Sequence, residues 1–527
     1  MAMRAHLVIL PLMVIASTLL AMVPMDPTAA DVNTAFDDGV LKYETIDSDT
    51  VAVIGYIDTS GVSEVVVPAQ VKQAGVTYKV VSISFAAFED NGIISVTIPN
   101  TVEEVYAESF IGINIQRINV DPDNTHYASI DGILYDYKIR SLIRCPSGYQ
   151  GSAVETPESL AAIGRGAFDS CTVETVKLND GLILIDINAF FMCKSLSTIT
   201  VDGVNNELPM TVSTIGSYAF GHCESLERLY LPDNLTFIGD SAFSDSGLTE
   251  MTIPSGVDYI GQSAFGHCKS LKSIESDNMK YISENGVLFH NSDLKRLFCY
   301  PAGKEDAEYT IPDDISTISH GAFAGCINLK KVNIGSMTVI PDGAFAFCTS
   351  LEEIDLTKVT VIGTMAFYEC DNLRNVSFGS SLSVIDVMAF YSSGIEEMMF
   401  PPSLISIGSS AFMECRNLKN VTFPESSQCM VDAYVFWKCY GLSEIYIGSS
   451  DVALENGSLI VSTSDSDAFT LNITVPKGYS IPEDAYNTYT DLIVTYIGER
   501  PYPYENIIGV VICLIVLFAI FKLFRRV

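Results

Sequence analysis

The chain has 527 residues, 48% of them hydrophobic, with 36 glycines and 21 prolines. That length allows several domains, that apolar content fills a large core, and the modest Pro and Gly exclude a disordered chain. The formal charge of −34 excludes nucleic acid as a partner, because phosphate neutralisation needs Lys and Arg, and it gives a self-repelling acidic surface.

Residues 1–30 read as a secretory signal peptide. Arg4 supplies the positive end, Leu7 to Val23 the apolar stretch, and Thr28-Ala29-Ala30 the small residues for cleavage. Retention of the same stretch as an uncleaved anchor is the other reading. Residues 31–80 alternate apolar and polar and are expected to form a β cap.

From residue 81 to 448 the chain repeats. Aligned on the Phe of an "AF" pair, the copies fall at Phe88, Phe110, Phe168, Phe190, Phe220, Phe243, Phe265, Phe323, Phe345, Phe367, Phe390, Phe412 and Phe436. Successive gaps are 22, 58, 22, 30, 23, 22, 58, 22, 22, 23, 22 and 24. The unit shows in "LTEMTIPSGVDYIGQSAFGHCKS", residues 248–270. A strand-like "LxxIxI" comes first, then a Pro-Ser-Gly turn, a short extended "VDYIG", and "AFxxC". Such a unit cannot bury its apolar side alone, so stacked copies sharing one core, a solenoid of at least 13 turns, are expected. Ala lets neighbouring turns approach and Phe fills the interior.

Each gap of 58 is one unit plus an inserted island, at about 121–155 and 275–310. The islands match at Tyr127/Tyr281, Gly132/Gly286, Leu134/Leu288, Tyr135/Phe289, Leu142/Leu297 and Gly148/Gly303. Each reads as a β-hairpin whose return strand rejoins the stack. The gap of 30 carries an extra loop, Asp202 to Met210.

Residues 449–498 are expected to close the stack as a C-terminal cap, and 499–506 to link it to the apolar run 507–524. Those 18 residues, interrupted only by Lys522, suffice for a transmembrane helix of about 27 Å. Lys522, Arg525 and Arg526 place the tail 525–527 in the cytoplasm. Residues 31–506 then lie outside the cell, with 63 acidic against 26 basic residues, a net −37.

The unit "IGxxAFxxCxxLxxIxIP" with its "DGILY" island resembles the BspA-like leucine-rich repeat surface proteins. The resemblance implies a mainly β leucine-rich-repeat solenoid, β-rich caps and a surface-binding role. It transfers no catalytic residue.

Nine cysteines stand three residues after the repeat Phe: Cys171, Cys193, Cys223, Cys268, Cys326, Cys348, Cys370, Cys415 and Cys439. Elsewhere that position holds Asn91, Ile113, Ser246 or Ser393, which suits a small inward-facing residue better than a metal ligand. A column of buried free thiols is expected; disulfides between adjacent turns are the alternative that export permits. "GHC" occurs at His222-Cys223 and His267-Cys268. Two turns separate those histidines, about 10 Å, too far for one zinc ion. Both are expected at the surface.

No metalloprotease, phosphate-loop, nucleophile-elbow or CxxC motif is present. No enzyme activity, cofactor or metal is therefore expected. The residue between the last two apolars of "LxxIxI" should project outward. Reading it along the array gives a mixed polar row, with Lys177, Tyr230, Glu275, Asn333, Asp355, Met399 and Tyr446 as the candidate ligand-binding strip. Sequons for N-glycosylation occur at Asn234, Asn375, Asn420, Asn456 and Asn472. These readings converge on a single-pass plasma-membrane protein whose ectodomain binds an extracellular protein or glycan in adhesion or recognition. A structural envelope or spacer protein that associates with itself is the second reading.

Overall fold

A computed structural model describes residues 34–57, 62–89, 92–111, 114–291, 295–461, 469–486 and 490–497. The expected signal peptide, the expected span 507–524 and its flanks lie outside these residues. Among the described residues no helix is long and apolar enough to cross a membrane. The architecture is mainly β, a solenoid of about 17 turns, with a short 3-10 turn at Ala107–Phe110.

Each repeat contributes to three faces. "LxxIxI" forms a four-residue strand in parallel register with the next copy: Thr175–Leu178 lies on Thr198–Val201, and Glu353–Leu356 on Asn375–Phe378. The "VxxIG" piece forms a two-residue strand, and these stack into ladders, one of which runs from Val339–Ile340 to Ala453–Leu454. The third face is the "AFxxC" turn.

That turn has unusual backbone. From Phe168 to Phe436 the residues two before and two after each repeat Phe are left-handed and mostly not glycine: Tyr218 and His222 at φ 56° and 57°, Met365 and Glu369 at 54° and 53°, Tyr434 and Lys438 at 57° and 60°. A left-handed side chain costs about 1–2 kcal/mol. Alternating left- and right-handed residues aim every second N–H along the solenoid axis. Asn188, Phe190 and Met192 accordingly donate to Ser217, Ala219 and Gly221 of the next turn at 2.7–2.9 Å. The ladder satisfies buried amides that have no other partner, and this outweighs the strain.

Inside, the Phe rings form a stack. Centroids of Phe168, Phe190, Phe220, Phe243 and Phe265 follow one another at 4.8–5.5 Å, and those from Phe323 to Phe412 at 4.9–5.3 Å. All are buried. Each ring contributes about 1.5–3 kcal/mol by burial, and each stacked pair about 0.5–1.5 kcal/mol more.

The islands are three-stranded. Tyr127–Ile130, Ile133–Asp136 and Ser141–Arg144 run antiparallel, and the third strand rejoins the stack parallel to Ala162–Ile163. The second island repeats this with Tyr281–Glu284, Val287–His290 and Arg296–Cys299. Their tight turns are Asp131-Gly132 and Asn285-Gly286, both residues of each at positive φ, the sequence chemistry a two-residue hairpin requires. Tyr300 of the second island fills the ring stack before Phe323, with centroids 5.2 Å apart.

The ends continue the stack. The expected cap boundary at residue 80 falls inside the strand Val76–Ile83, which pairs parallel with Glu104–Val105. At the other end Phe469–Val475 lies parallel on Glu444–Ile447, and Thr490–Tyr496 on Phe469–Val475.

Candidate functional site

The projecting row is in register but is cut into segments. Asp355 lies opposite Ser377, and together with Asn333 they line a shallow cleft of about 410 Å³. Met399, Thr422 and Tyr446 follow one another on adjacent strands, and Met399 is 74% exposed. Lys177 is exposed between Glu155 and Thr200. Its ammonium is 3.5 Å from the Glu155 carboxylate, inside a cleft of about 640 Å³ that also holds Glu158, Asp180 and Asp202.

Tyr230 and Glu275 are set apart. The loop in the 30-residue gap folds back on its own strand, Val204–Asn205 pairing antiparallel with Thr198–Val201. Tyr230 therefore sits at an isolated bridge to Glu207 rather than in a ladder. Glu275 pairs with Thr252, but on its other side the second island crosses: Ile274 N–H donates to Gly286 at 2.9 Å. A Cβ on Gly286 would lie 2.9 Å from that of Ser273, so glycine is required there. The islands and the extra loop thus divide one expected strip into short patches.

Of the sequon asparagines, Asn234, Asn375, Asn456 and Asn472 are exposed and Asn420 is half-buried. The Asn472 side chain donates to the Ser443 carbonyl at 3.2 Å.

The cysteine column is a hydrogen-bonding device. The twelve cysteines among the described residues are free and buried. The thiols of Cys193, Cys223, Cys268, Cys348, Cys370, Cys415 and Cys439 each donate to a repeat Phe carbonyl one turn earlier, at 2.8–3.2 Å. Burial pushes Cys268 up to about 11 and Cys429 up to about 12, so neither is a poised nucleophile. Cys415 is the exception: burial pushes its thiol up, but hydrogen bonds from Cys439 and Ser393 carry it below its ordinary value. Among the described residues no group of three His, Cys, Asp or Glu could hold a metal ion.

The two histidines differ. His222 is partly exposed, its Nε2 3.9 Å from the Asp245 carboxylate. His267, expected at the surface, is half-buried. It packs edge-on against Phe347 at 4.9 Å, and burial pushes its imidazole below the usual value.

His267 marks a joint that the sequence reading missed. The second island enters the stack only on the inner side. On the turn edge the blocks close up directly, His267 N–H donating to Ala324 at 3.0 Å. This closeness demands small residues: a Cβ on Gly325 (φ 79°) would lie 2.7 Å from His267 Cα. Gly321, Ala324, Gly343 and Ala346 continue the run where other turns carry Tyr218, Met365, Tyr368 or Trp437. The result is a notch of about 550 Å³ with a floor of Gly and Ala, walled by Tyr218, Phe347, Met365 and Tyr368. Its signal in the sequence is the pair "GAFAGC" and "GAFAFC", the small-residue versions of the repeat turn.

Parallel ladders on a 22–24 residue beat, a Phe stack and a small-residue column define a leucine-rich-repeat solenoid. The sequence profile of the BspA type leucine rich repeat region matches residues 69–135, 147–208, 202–303, 302–397 and 338–460. The chain belongs to that family. Its fold is similar to a leucine rich cell surface protein from Faecalibacterium prausnitzii A2-165, at 23% identity over 83% of this chain and 97% of that one, with a TM-score of 0.44. It is also similar to a leucine-rich repeat protein from Eubacterium ventriosum (25% identity, 63% and 90% covered, TM-score 0.47). The pneumococcal vaccine antigen PcpA matches at 18% identity over 88% and 100%, with a TM-score of 0.42. No curated protein shows significant similarity to the chain.

Proposed function

We propose that the chain is a cell-surface binding protein, exported by residues 1–30, held by a helix over 507–524, and presenting its solenoid to protein or glycan ligands. The observation that carries this reading is the set of outward-facing, in-register side chains on a parallel array, the exposed Asn333, Asp355, Ser377 and Met399 and the half-buried Thr422 and Tyr446. Extended surfaces of this kind are what solenoids offer partners. The thiol of Cys268, pushed up by burial and bonded to the Phe243 carbonyl, suits packing rather than nucleophilic chemistry. The F. prausnitzii protein is described as a cell surface protein, which accords with export. The exposed sequons Asn234, Asn375, Asn456 and Asn472 are available for glycosylation in a host with that pathway.

The test is a binding screen of the full chain against extracellular proteins and glycans, repeated with Asp355→Ala and Met399→Ser/Tyr446→Ser. Loss of a captured ligand in either variant supports the strip. Self-assembly in sedimentation, with no ligand captured, favours the envelope or spacer reading instead.

A further inference from the structure

We propose that the notch at the joint between the two repeat blocks is a saccharide site that takes a neutral, uncharged sugar unit. The inference rests on the binding reading above and gives it a second location and a ligand class.

Three features point there. The first is shape. Beside the repeat Phe, two successive turns carry the small residues Gly321, Ala324, Gly343 and Ala346, with His320, Asp342 and Phe347 completing their share of the lining, so the gap is two turns wide, about 10 Å. Its volume of about 550 Å³ falls in the ordinary range for small-ligand pockets.

The second is a fixed set of polar groups along one wall. Asp240 accepts the Gln262 N–H at 2.8 Å through Oδ1, and Asp342 accepts the Thr364 N–H at 2.9 Å through Oδ1. Each carboxylate is thereby clamped to the next turn. The Asp342 Oδ2 also lies 3.5 Å from His320 Nδ1. Carboxylates, an imidazole and the Gln262 and Thr364 side chains together offer both acceptors and donors. Sugar hydroxyls need both, and a site that is already ordered loses little freedom on binding.

The third is the aromatic wall facing them. Phe347 and Tyr368 lie 5.2 Å apart, with Tyr218, 44% exposed, across the gap. Rings pack against the C–H patches of a pyranose while its hydroxyls reach the acids. None of the residues lining the notch is Lys or Arg. Sialic acids, uronic acids and phosphates therefore find two carboxylates, no Lys or Arg, and an imidazole, His320, already facing Asp342. An amine would satisfy the carboxylates but leave the donors of Gln262, Thr364 and His320 unused.

The experiment probes the full chain, kept in solution by a detergent without a sugar headgroup, against an array of neutral, acidic and amine-bearing glycans and basic peptides. The main variant is Gly343→Tyr. A Cβ at Gly343 meets no atom within 4 Å, and Tyr218 and Tyr434 hold the same left-handed position in other turns. The tyrosine therefore plugs the notch in a backbone conformation other turns already adopt, at the strain of one more left-handed side chain. Asp240→Asn keeps the amide contact and removes the charge. The expected result is saturable binding of a neutral saccharide, weakened about tenfold or more in both variants, with unchanged circular dichroism and, in Gly343→Tyr, only the small drop in melting that the added left-handed side chain brings. Preference for acidic glycans, for amines or for basic peptides overturns the proposal, as does neutral-sugar binding that survives Gly343→Tyr. Binding lost in Asp355→Ala or Met399→Ser but retained in Gly343→Tyr sinks the notch and leaves the surface-binding function standing. Binding to nothing on the array or in the protein screen sinks both.

Discussion

Native thiol chemistry tests the column directly. At pH 7.5 a cysteine with an ordinary pKa of about 8.5 is roughly 10% thiolate. Cys268, raised to about 11 by burial, is roughly 0.03% thiolate, so its alkylation slows about 300-fold before access is considered. Cys429, at about 12, slows about tenfold further. Both are almost completely covered, so reagent reaches them only through local opening. Iodoacetamide labelling, read peptide by peptide by mass spectrometry in native buffer and in denaturant, measures these ratios. Cys268 and Cys429 should label at least two orders of magnitude faster after unfolding. Cys415, whose thiol is the one carried down, should lead the native labelling within the column. Native labelling of Cys268 within tenfold of the unfolded rate would refute the reasoning. So would disulfide-linked column peptides in a non-reducing digest.

Three further outcomes follow from the packing. Phe367→Ala removes a buried ring stacked on Phe345 and Phe390 at 5.3 and 5.0 Å. It should cost about 3–5 kcal/mol by urea unfolding followed through Trp437, and a cost below about 1 kcal/mol contradicts the stack. Gly325→Ala, at φ 79°, adds left-handed strain and drives a Cβ into His267 Cα, and should cost about 2–5 kcal/mol, whereas Gly343→Ala, at φ 60° with open space around it, should cost only the left-handed strain, about 1–2 kcal/mol; equal melting shifts for the pair would be the wrong result. The imidazole of His267 is depressed by burial, an effect that Lys269 and His222 reinforce and Asp245 opposes. The unfolded chain then binds a proton that the native joint does not, so stability rises with pH below about 6.5 and falls on acidification. His267→Gln should flatten that slope between pH 7 and 5, and an identical slope in both proteins removes His267 as its source.

The architecture was legible because it is built from repetition. A 22–24 residue beat and Phe at one place report the same packing demand thirteen times, Cys three residues on reports it nine times, and no single substitution hides it. The islands were legible for a local reason. Asp131-Gly132 and Asn285-Gly286 demand a two-residue turn, and apolar residues on either side fix the hairpin.

What the beat could not show is where stacking fails. An alignment places Tyr230 and Glu275 in the same row as Asp355. In space, Tyr230 is cut off by a loop that pairs with its own strand, and Glu275 is the last residue before an island crosses. The joint has the same origin. Counting residues places His267 and Phe323 far apart, 56 positions along the chain. The island, however, enters only the inner layers, and the outer ladder closes across it from His267 to Ala324. The glycines and alanines of "GAFAGC" and "GAFAFC" were visible as letters. Their meaning depends on which turn lies next to them, and an insertion changes that. In a periodic protein the repeat therefore specifies the scaffold, while chemistry gathers where the period is broken. The departures from consensus beside each insertion are the residues to test first for a ligand.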